Sequence, residues 1–244
     1  VALPWLLTRG ARRFALLAPR CPDTTAFHAH VRRRALEGGG EIVFEKRLDS
    51  GAPVSSALLQ RLLAQRPDCV ICSLLGDRLA MFLTALRLSR AAGGSTAATV
   101  FATHLDENTA ARLPAASTGV ITCQDHFRTA DDPATPWAVD AGRWRATDLA
   151  APTAGNGSTA LHRGLELYTQ VVRRTGGDPE PESILSALGT ATLANAPGGA
   201  ASMRPGIGRC ALAMSVGRAS DGRIDILERV ASVEDDLQRT VDRR

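Results

Sequence analysis

Two pairs of residues have types and spacings that could support metal or redox chemistry. Cys69 and Cys72 form a C-x-x-C pattern, and His28 and His30 lie two residues apart. The cysteines fall in the apolar run DCVICSLL, which is typical of a strand, where positions three apart point to opposite faces. The histidines fall in a helical pattern, where positions two apart diverge by about 200°. We therefore expect neither a metal site nor a redox pair, and we interpret the cysteines as buried thiols.

The sequence carries none of the common enzyme motifs. It contains no G-x-S-x-G, no P-loop and no G-x-G-x-x-G after a strand. His104 and His126 follow predicted strands, but no nucleophile is tied to either of them. Asp131 and Asp132 precede Pro133 in a loop-like stretch, where turn formation is their expected role. The sequence therefore favours a protein that is not an enzyme and that uses no cofactor.

The net charge of +4 raises the question of nucleic-acid binding. Lys46 is the only lysine, and the arginines are spread along the chain instead of forming one basic surface. The cluster of Arg32, Arg33 and Arg34 lies in a helical pattern and is typical of a solvated helix face. Aromatic residues, which stack on bases, make up only 4% of the chain. We therefore expect no nucleic-acid partner.

The apolar runs are too short for a membrane span. The longest, CVICSLL and ALAMSV, have the length of a strand, whereas a membrane-spanning helix needs roughly 20 apolar residues. The N-terminal stretch VALPWLLTRGARRFALL lacks the basic start and the cleavage site of a signal peptide. Because the chain also lacks an initiator Met, we expect a mature or truncated chain.

Strand-like and helix-like patterns alternate in the first half of the chain. Apolar strand patterns occupy residues 12–19, 41–48, 69–75, 97–104 and 119–125. Helical patterns occupy residues 24–37, 55–67, 77–94 and 106–113. Because the strands are apolar throughout, the alternation predicts an α/β fold with a parallel, Rossmann-like sheet and helices on both faces.

The pattern changes after the last of these strands. Residues 128–158 are rich in Asp, Pro, Gly and Thr, with one predicted helix at 137–144. Two amphipathic helices at 158–177 and 181–191 follow with no strand between them. The chain then reaches two strand patterns, CALAMSVGR and RIDILERV, joined by the turn ASDG. That turn is typical of a hairpin, because Asp-Gly supplies the positive φ angles.

This order of elements resembles the type I periplasmic solute-binding proteins, specifically the branched-chain amino acid, urea and short-chain amide receptor group. Short motifs support the resemblance: LLTRGARRFALLAP, RPDCVICSLLGD, QDHFRTADDPAT and the final APGGAASMRPGIGRCALAMSVGRASDGRIDIL. The resemblance implies two lobes that close on a ligand. It assigns residues 1–125 to the second lobe, 126–193 to a crossover and helix pair of the first lobe, 194–230 to return strands of the second lobe, and 231–244 to a helical or disordered tail.

The resemblance also implies where the ligand binds. In this group, the loops that follow the second-lobe strands contact the ligand, as is general for open parallel sheets. One further position lies near the start of the long helix. The residues at these positions are Arg20, Cys21, Leu75, Asp77, Thr103, His104, Asp106, Gln124, His126 and His162.

Several of these residues depart from the pattern of the group. Arg20 and Cys21 replace Asp-Tyr, Leu75 replaces Asn, and Gln124 and His126 replace aromatic residues. The groups that would bind a small amide are thus largely absent, so either the ligand differs or binding has been lost. Arg20 could pair with a carboxylate, because a guanidinium offers a bidentate fork.

Three functions follow from the resemblance. The first is a periplasmic receptor for urea, an amide or an amino-acid-like ligand, with an ABC transporter permease as partner. The second is a cytoplasmic amide sensor that controls a transcription regulator, and the third is a degenerate relative without a ligand. A homodimer is left open. Because the first-lobe sheet should precede Val1, we also expect partial exposure or repacking of the apolar helix residues Leu161, Leu165, Leu167, Val171, Ile184 and Leu185.

Overall fold

The fold was obtained as a computed structural model, which describes residues 1–92, 98–127, 156–178, 180–204 and 209–230. The helix predicted at 137–144 and the tail predicted at 231–244 lie outside the described residues. The chain divides into two compact units. Unit 1 comprises Val1–Cys123 and Val216–Leu227, and unit 2 comprises Gln124–Ser215 and Glu228–Arg244.

The elements of residues 12–125 follow the predicted alternation, whereas β6 and β7 were not predicted. The strands are β1 Arg13–Pro19, β2 Glu41–Leu48, β3 Cys69–Cys72, β4 Thr99–Ala102, β5 Ile121–Gln124, β6 Thr192–Leu193, β7 Ala201–Arg204, β8 Arg209–Leu212, β9 Met214–Ser220 and β10 Arg223–Val230. The helices are α1 Ala2–Thr8, α2 Pro22–Glu37, α3 Ser56–Ala64, α4 Gly76–Ala91, α5 Glu107–Arg112, α6 Pro114–Ser117, α7 Asn156–Arg174 and α8 Pro181–Leu188.

The main sheet has seven strands in the order β10-β9-β5-β4-β3-β1-β2. The pairs β1–β2, β1–β3, β3–β4 and β4–β5 are all parallel. Every residue of β3 is buried, and a strand reaches that state only when both faces of its sheet are covered. The predicted α/β class with a mostly parallel sheet is therefore confirmed.

The core of unit 1 lies against this sheet. Phe14 and Leu16 from β1 pack with Ile71 from β3, Phe101 from β4 and Val216 from β9, and each is at most 5% exposed. Burying one such side chain contributes on the order of 1.5–3 kcal/mol. Trp5 and Leu6 from α1 and Val31 and Ala35 from α2 belong to the same cluster, so these two helices cover the sheet at this point.

Short polar side chains cap the N-termini of α3 and α5. The Ser55 hydroxyl accepts a hydrogen bond from the backbone N–H of Leu58 (3.2 Å) at the start of α3. The Asp106 carboxylate accepts one from the N–H of Thr109 (2.8 Å) at the start of α5. Each of these contacts satisfies a backbone donor that has no partner within its helix.

The closing hairpin forms as predicted, but its first strand is shorter than the sequence pattern indicated. Asp221 and Gly222 between β9 and β10 have φ angles of +46° and +78°, as this type of turn requires. The pattern CALAMSVGR predicts one strand, whereas the chain forms β8 and β9 on either side of Ala213. β8 pairs antiparallel with β7, and β9 joins the main sheet. Both strands are partly buried, so the apolar pattern does not mark the break.

Unit 2 combines α7 and α8 with a three-stranded sheet of order β6-β7-β8. Its small core contains Leu167, Val171 and Ala191. On the outer side of the two helices, apolar side chains are exposed to solvent: Leu161 (65%), Leu165 (57%), Tyr168 (53%) and Leu185 (66%). The expected exposure is therefore seen for Leu161, Leu165 and Leu185 and partly for Ile184, whereas Leu167 and Val171 are buried.

Candidate functional site

Three loops of unit 1 meet at one edge of the main sheet. β1, β3 and β4 are adjacent and parallel, and the register aligns Leu17 with Cys72 and Cys72 with Ala102. The loops that follow these strands therefore leave the sheet side by side. They carry the predicted site residues Arg20, Cys21, Leu75, Asp77, Thr103, His104 and Asp106.

Arg20 and Cys21 connect β1 to α2. The Arg20 guanidinium forms an exposed ion pair with Asp49, with Nε and Oδ1 2.5 Å apart. The side chains of Cys21 and Thr24 are hydrogen-bonded at 3.4 Å, and this contact, with the backbone N–H of Thr24, lowers the pKa of the Cys21 thiol. Arg20 therefore presents a cation at this edge, where it is paired with an exposed carboxylate.

Two of the other loops also begin helices. Leu75 is 55% exposed and precedes the first residue of α4, and Asp77 lies in the first turn of that helix. Asp106 caps α5, as described above, so part of its carboxylate is already engaged. The three residues thus have local roles at helix starts, and exposed Leu75 adds an apolar surface to the edge.

Thr103 and His104 follow β4 directly. The backbone N–H of Thr103 donates to the carbonyl of Cys72 (3.0 Å), which continues the ladder between β4 and β3. His104 is exposed, but desolvation by the surrounding protein lowers its pKa. A histidine with a lowered pKa is neutral at pH 7 and offers one donor and one acceptor to a polar ligand.

The remaining predicted residues belong to unit 2. Gln124 and His126 are 8% and 5% exposed, and each interacts with another group of the protein. His162 on α7 lies 3.3 Å from the carboxylate of Glu166, one helical turn later. These side chains are thus more buried or more engaged than those on the loops of unit 1.

Sequence reasoning missed a buried ion pair in unit 2. Arg163 (4% exposed) donates from Nη2 to the carboxylate of Asp125 (9% exposed) and from Nη1 to the carbonyl of Pro197 (2.9 Å). One signal was present in the sequence. Arg163 stands four and eight residues before the buried Leu167 and Val171, so it lies on the buried stripe of α7. A charged residue at such a position needs a partner inside the protein.

A second polar cluster joins α2 to β2. His28, which is 2% exposed, has Nδ1 3.0 Å from a carboxylate oxygen of Glu45, and Arg32 forms an ion pair with the same carboxylate. Burial opposes ionisation of Glu45, but His28, Arg32 and Arg47 outweigh it and lower the pKa of Glu45. A groove of about 520 Å³ runs along this cluster. None of its residues was among the predicted site residues.

The side chains at this edge can bind a polar ligand. Arg20, Thr103 and His104 supply a cation, a hydroxyl and an imidazole. Within the described ranges, no group of three or more His, Cys, Asp or Glu residues could hold a metal ion. Cys69 and Cys72 are buried in β3, where desolvation raises the pKa of each thiol to about 12.

Comparison with known proteins places the chain in a sequence family. A profile described as periplasmic binding protein matches residues 1–223. No curated protein matches the chain. Among the helices that the structure describes, none has both the length and the apolar character to cross a bilayer.

Solved structures share the fold over almost the whole chain. A solute-binding protein of an ABC transporter from Rhodopseudomonas palustris HaA2, in complex with p-hydroxybenzoic acid, is 17% identical with a TM-score of 0.84, over 98% of this chain and 66% of that one. An ABC transporter substrate-binding protein from Sphaerobacter thermophilus is 21% identical with a TM-score of 0.79, over 96% and 64%. A branched-chain amino acid ABC transporter periplasmic ligand-binding protein from Burkholderia xenovorans LB400 is 17% identical with a TM-score of 0.72, over 95% and 62%. The chain thus spans less than two thirds of the length of these proteins.

Proposed function

The chain belongs to the periplasmic binding protein family, and we propose that it is part of a solute-binding receptor of an ABC importer. In this proposal, residues 1–125 with the return strands within 194–230 form the second lobe, and residues 126–193 belong to the first lobe. The receptor works in the periplasm, captures a small molecule without covalent chemistry and delivers it to a transporter permease.

The meeting of three loops at the carboxyl ends of β1, β3 and β4 supports the proposal most strongly. Ligands of open parallel sheets bind at this end of the strands, because the loops there converge and are free of the helix packing that covers the faces. The loops carry polar groups, Arg20, Thr103 and His104, beside an exposed apolar residue, Leu75. That combination suits a ligand with one charged end and one apolar part.

We further propose that the ligand carries a carboxylate. Proteins of similar fold were solved with 4-hydroxybenzoate, benzoate and 3,4-dihydroxybenzoic acid, all of which have this group. Arg20 is its partner here. Its present contact with Asp49 is exposed on both sides, and such pairs contribute at most about 1 kcal/mol, so a ligand carboxylate can displace Asp49. The proposed ligand is therefore an aromatic acid or an amino acid, with urea and short-chain amides as the alternative.

Isothermal titration of the full-length protein tests this proposal. The probes are benzoate, 4-hydroxybenzoate, leucine, urea and acetamide, and each acid is compared with its neutral amide. We expect an acid to bind and its amide to bind at least about tenfold more weakly, because a hydrogen bond to a charged group contributes about 1.5–3 kcal/mol.

A pair of variants assigns the effect to Arg20. Arg20→Gln should weaken binding of the acid by about 10- to 100-fold, whereas Arg33→Gln, an exposed arginine of α2 paired with Glu37, should leave it unchanged. Binding of urea or acetamide in preference to the acids would contradict the carboxylate proposal. Absence of binding for every probe in a cooperatively folded protein would favour the regulatory or ligand-free alternative.

A further inference from the structure

The buried ion pair of unit 2 joins three segments that are far apart in the sequence. Arg163 is in the second turn of α7, Asp125 is the first residue after β5, and Pro197 lies between β6 and β7. One guanidinium donates to the Asp125 carboxylate and to the Pro197 carbonyl, across sequence separations of 38 and 34 residues. The contact therefore fixes tertiary structure and not a local turn.

The hydrogen bonds of this contact require a defined geometry. Burial lowers the pKa of Arg163, so removing its charge from water has a cost that only well-placed acceptors offset. An apolar side chain at the same place would fill the space without that cost. What the guanidinium adds is a planar donor fork, which accepts a carboxylate and a carbonyl only in defined positions.

Gly198 packs against the backbone of the same residue, Asp125. Its φ is +83°, and a Cβ atom there would lie 2.3 Å from the carbonyl oxygen of Asp125. The turn at Gly198 therefore rests directly on the backbone of Asp125. The side chain of Asp125 is fixed by Arg163, and its main chain is fixed by Gly198.

We propose that Arg163 is a positioning residue for ligand binding: it fixes Asp125 and thereby the short segment Gln124–Phe127, where the chain enters unit 2. This inference rests on the proposed function and on the expectation, implied by the family resemblance, that Gln124 and His126 contact the ligand. Arg163 itself does not contact the ligand. Without it, the segment adopts several conformations, and the apparent affinity falls in proportion to the fraction that is competent to bind.

The test compares Arg163→Met with Val171→Ala in the full-length protein. Methionine keeps the bulk of arginine but has no charge and no donor. Val171 is fully buried eight residues, about two helical turns, further along the same face of α7, and it belongs to the core with Leu167 and Ala191. Its truncation therefore destabilises the same unit without touching the ion pair. Hydrogen exchange of the backbone amides and binding of 4-hydroxybenzoate and leucine are measured for both variants.

We expect Arg163→Met to speed exchange at residues 124–127 by about tenfold or more and to weaken binding by about tenfold, since a factor of ten corresponds to loss of one buried charged hydrogen bond. Val171→Ala should speed exchange within α7 and leave both residues 124–127 and the affinity within about twofold of wild type. The inference is overturned if the two variants behave alike, or if residues 124–127 stay protected in Arg163→Met.

Two further variants keep the test decisive if Arg163→Met does not fold. Arg163→Lys keeps the charge but has no planar fork, so it should restore part of the protection at residues 124–127. Asp125→Asn should reproduce the faster exchange from the other side of the pair. If wild type binds none of the probes, the proposed function fails, but hydrogen exchange without ligand still decides whether Arg163 positions this segment.

Discussion

The two compact units bury their apolar side chains to different extents. In unit 1, the main sheet is apolar along its strands and is covered by helices, so Phe14, Leu16 and Ile71 are at most 2% exposed. In unit 2, α7 and α8 bury one stripe and leave Leu161, Leu165, Tyr168 and Leu185 in solvent. A covered sheet completes its own core, whereas a helix pair with two apolar sides needs a further layer. Among the described residues, no such layer covers this face of α7 and α8.

The largest effect should be the difference in thiol reactivity between the buried strand β3 of unit 1 and the partly exposed strand β8 of unit 2. Burial raises the pKa of Cys69 and Cys72 in unit 1 to about 12. Cys210 in unit 2 is partly exposed, and although burial also raises its pKa, the nearby Arg163 opposes that effect. Because the thiolate is the reactive form, we expect Cys210 to react with a disulfide reagent at pH 8 about 100-fold faster than Cys69 or Cys72. Mass spectrometry of the labelled protein measures this, and equal rates would contradict the difference.

The second-largest effect should be the difference in the free energy of unfolding when apolar side chains of the two units are truncated. Phe14→Ala removes a fully buried ring from unit 1 and should lower the free energy of unfolding by about 3–5 kcal/mol. Leu165→Ala on the exposed face of α7 should change it by no more than about 0.5 kcal/mol. Urea denaturation of both variants gives the comparison. A loss above about 2 kcal/mol for Leu165→Ala would mean that this face is covered within the chain.

The dependence of stability on pH should reveal the contribution of Glu45 in unit 1. The folded-state pKa of Glu45 lies below its usual value of 4.5, so the unfolded chain binds this proton more tightly. The stabilisation is therefore complete above pH 4.5 and is lost as the pH falls through the folded-state pKa. We expect Glu45→Gln to be less stable than wild type at neutral pH and to lose less of its remaining stability on acidification. Glu37→Gln on the exposed side of α2 is the control. If both variants lost the same stability at neutral pH and on acidification, the predicted contribution of Glu45 would be excluded.

The smallest effect is a gain of stability in unit 2. Gly164 lies in the interior of α7, and a Cβ atom there would meet nothing within 4 Å. Gly164→Ala should therefore raise the free energy of unfolding by about 0.4–1 kcal/mol, because alanine loses less backbone freedom on folding. Gly222→Ala in the hairpin of unit 1 should do the opposite, since its φ is +78°. Thermal unfolding of both variants measures the two changes. If Gly164→Ala lowered the stability, position 164 of α7 would be in contact with a surface outside the described residues.

The sequence predicted unit 1 better than unit 2, and the reason is the range of the interactions. Strand and helix patterns in residues 12–125 reflect local preferences, so their order could be predicted directly from the sequence. In unit 2, one apolar pattern at 210–218 serves two strands in two different sheets. Which sheet a strand joins depends on partners that are distant in the sequence, and periodicity carries no information about them.

The candidate site was likewise predictable from the sequence only in part. The loops after β1, β3 and β4 could be assigned from the sequence, because parallel strands always place their carboxyl ends at one edge. The polar networks could not be assigned. Arg163 with Asp125 and Pro197, and Glu45 with His28 and Arg32, each depend on residues that meet only after folding.

The sequence by itself therefore determined the alternation of elements, the parallel sheet and the closing hairpin, because backbone preferences and apolar periodicity are local properties. Only the tertiary structure decided which charged groups are buried together and which apolar helix face stays in solvent. Those outcomes are set by desolvation, which depends on every neighbour that surrounds a side chain and not on its position in the chain.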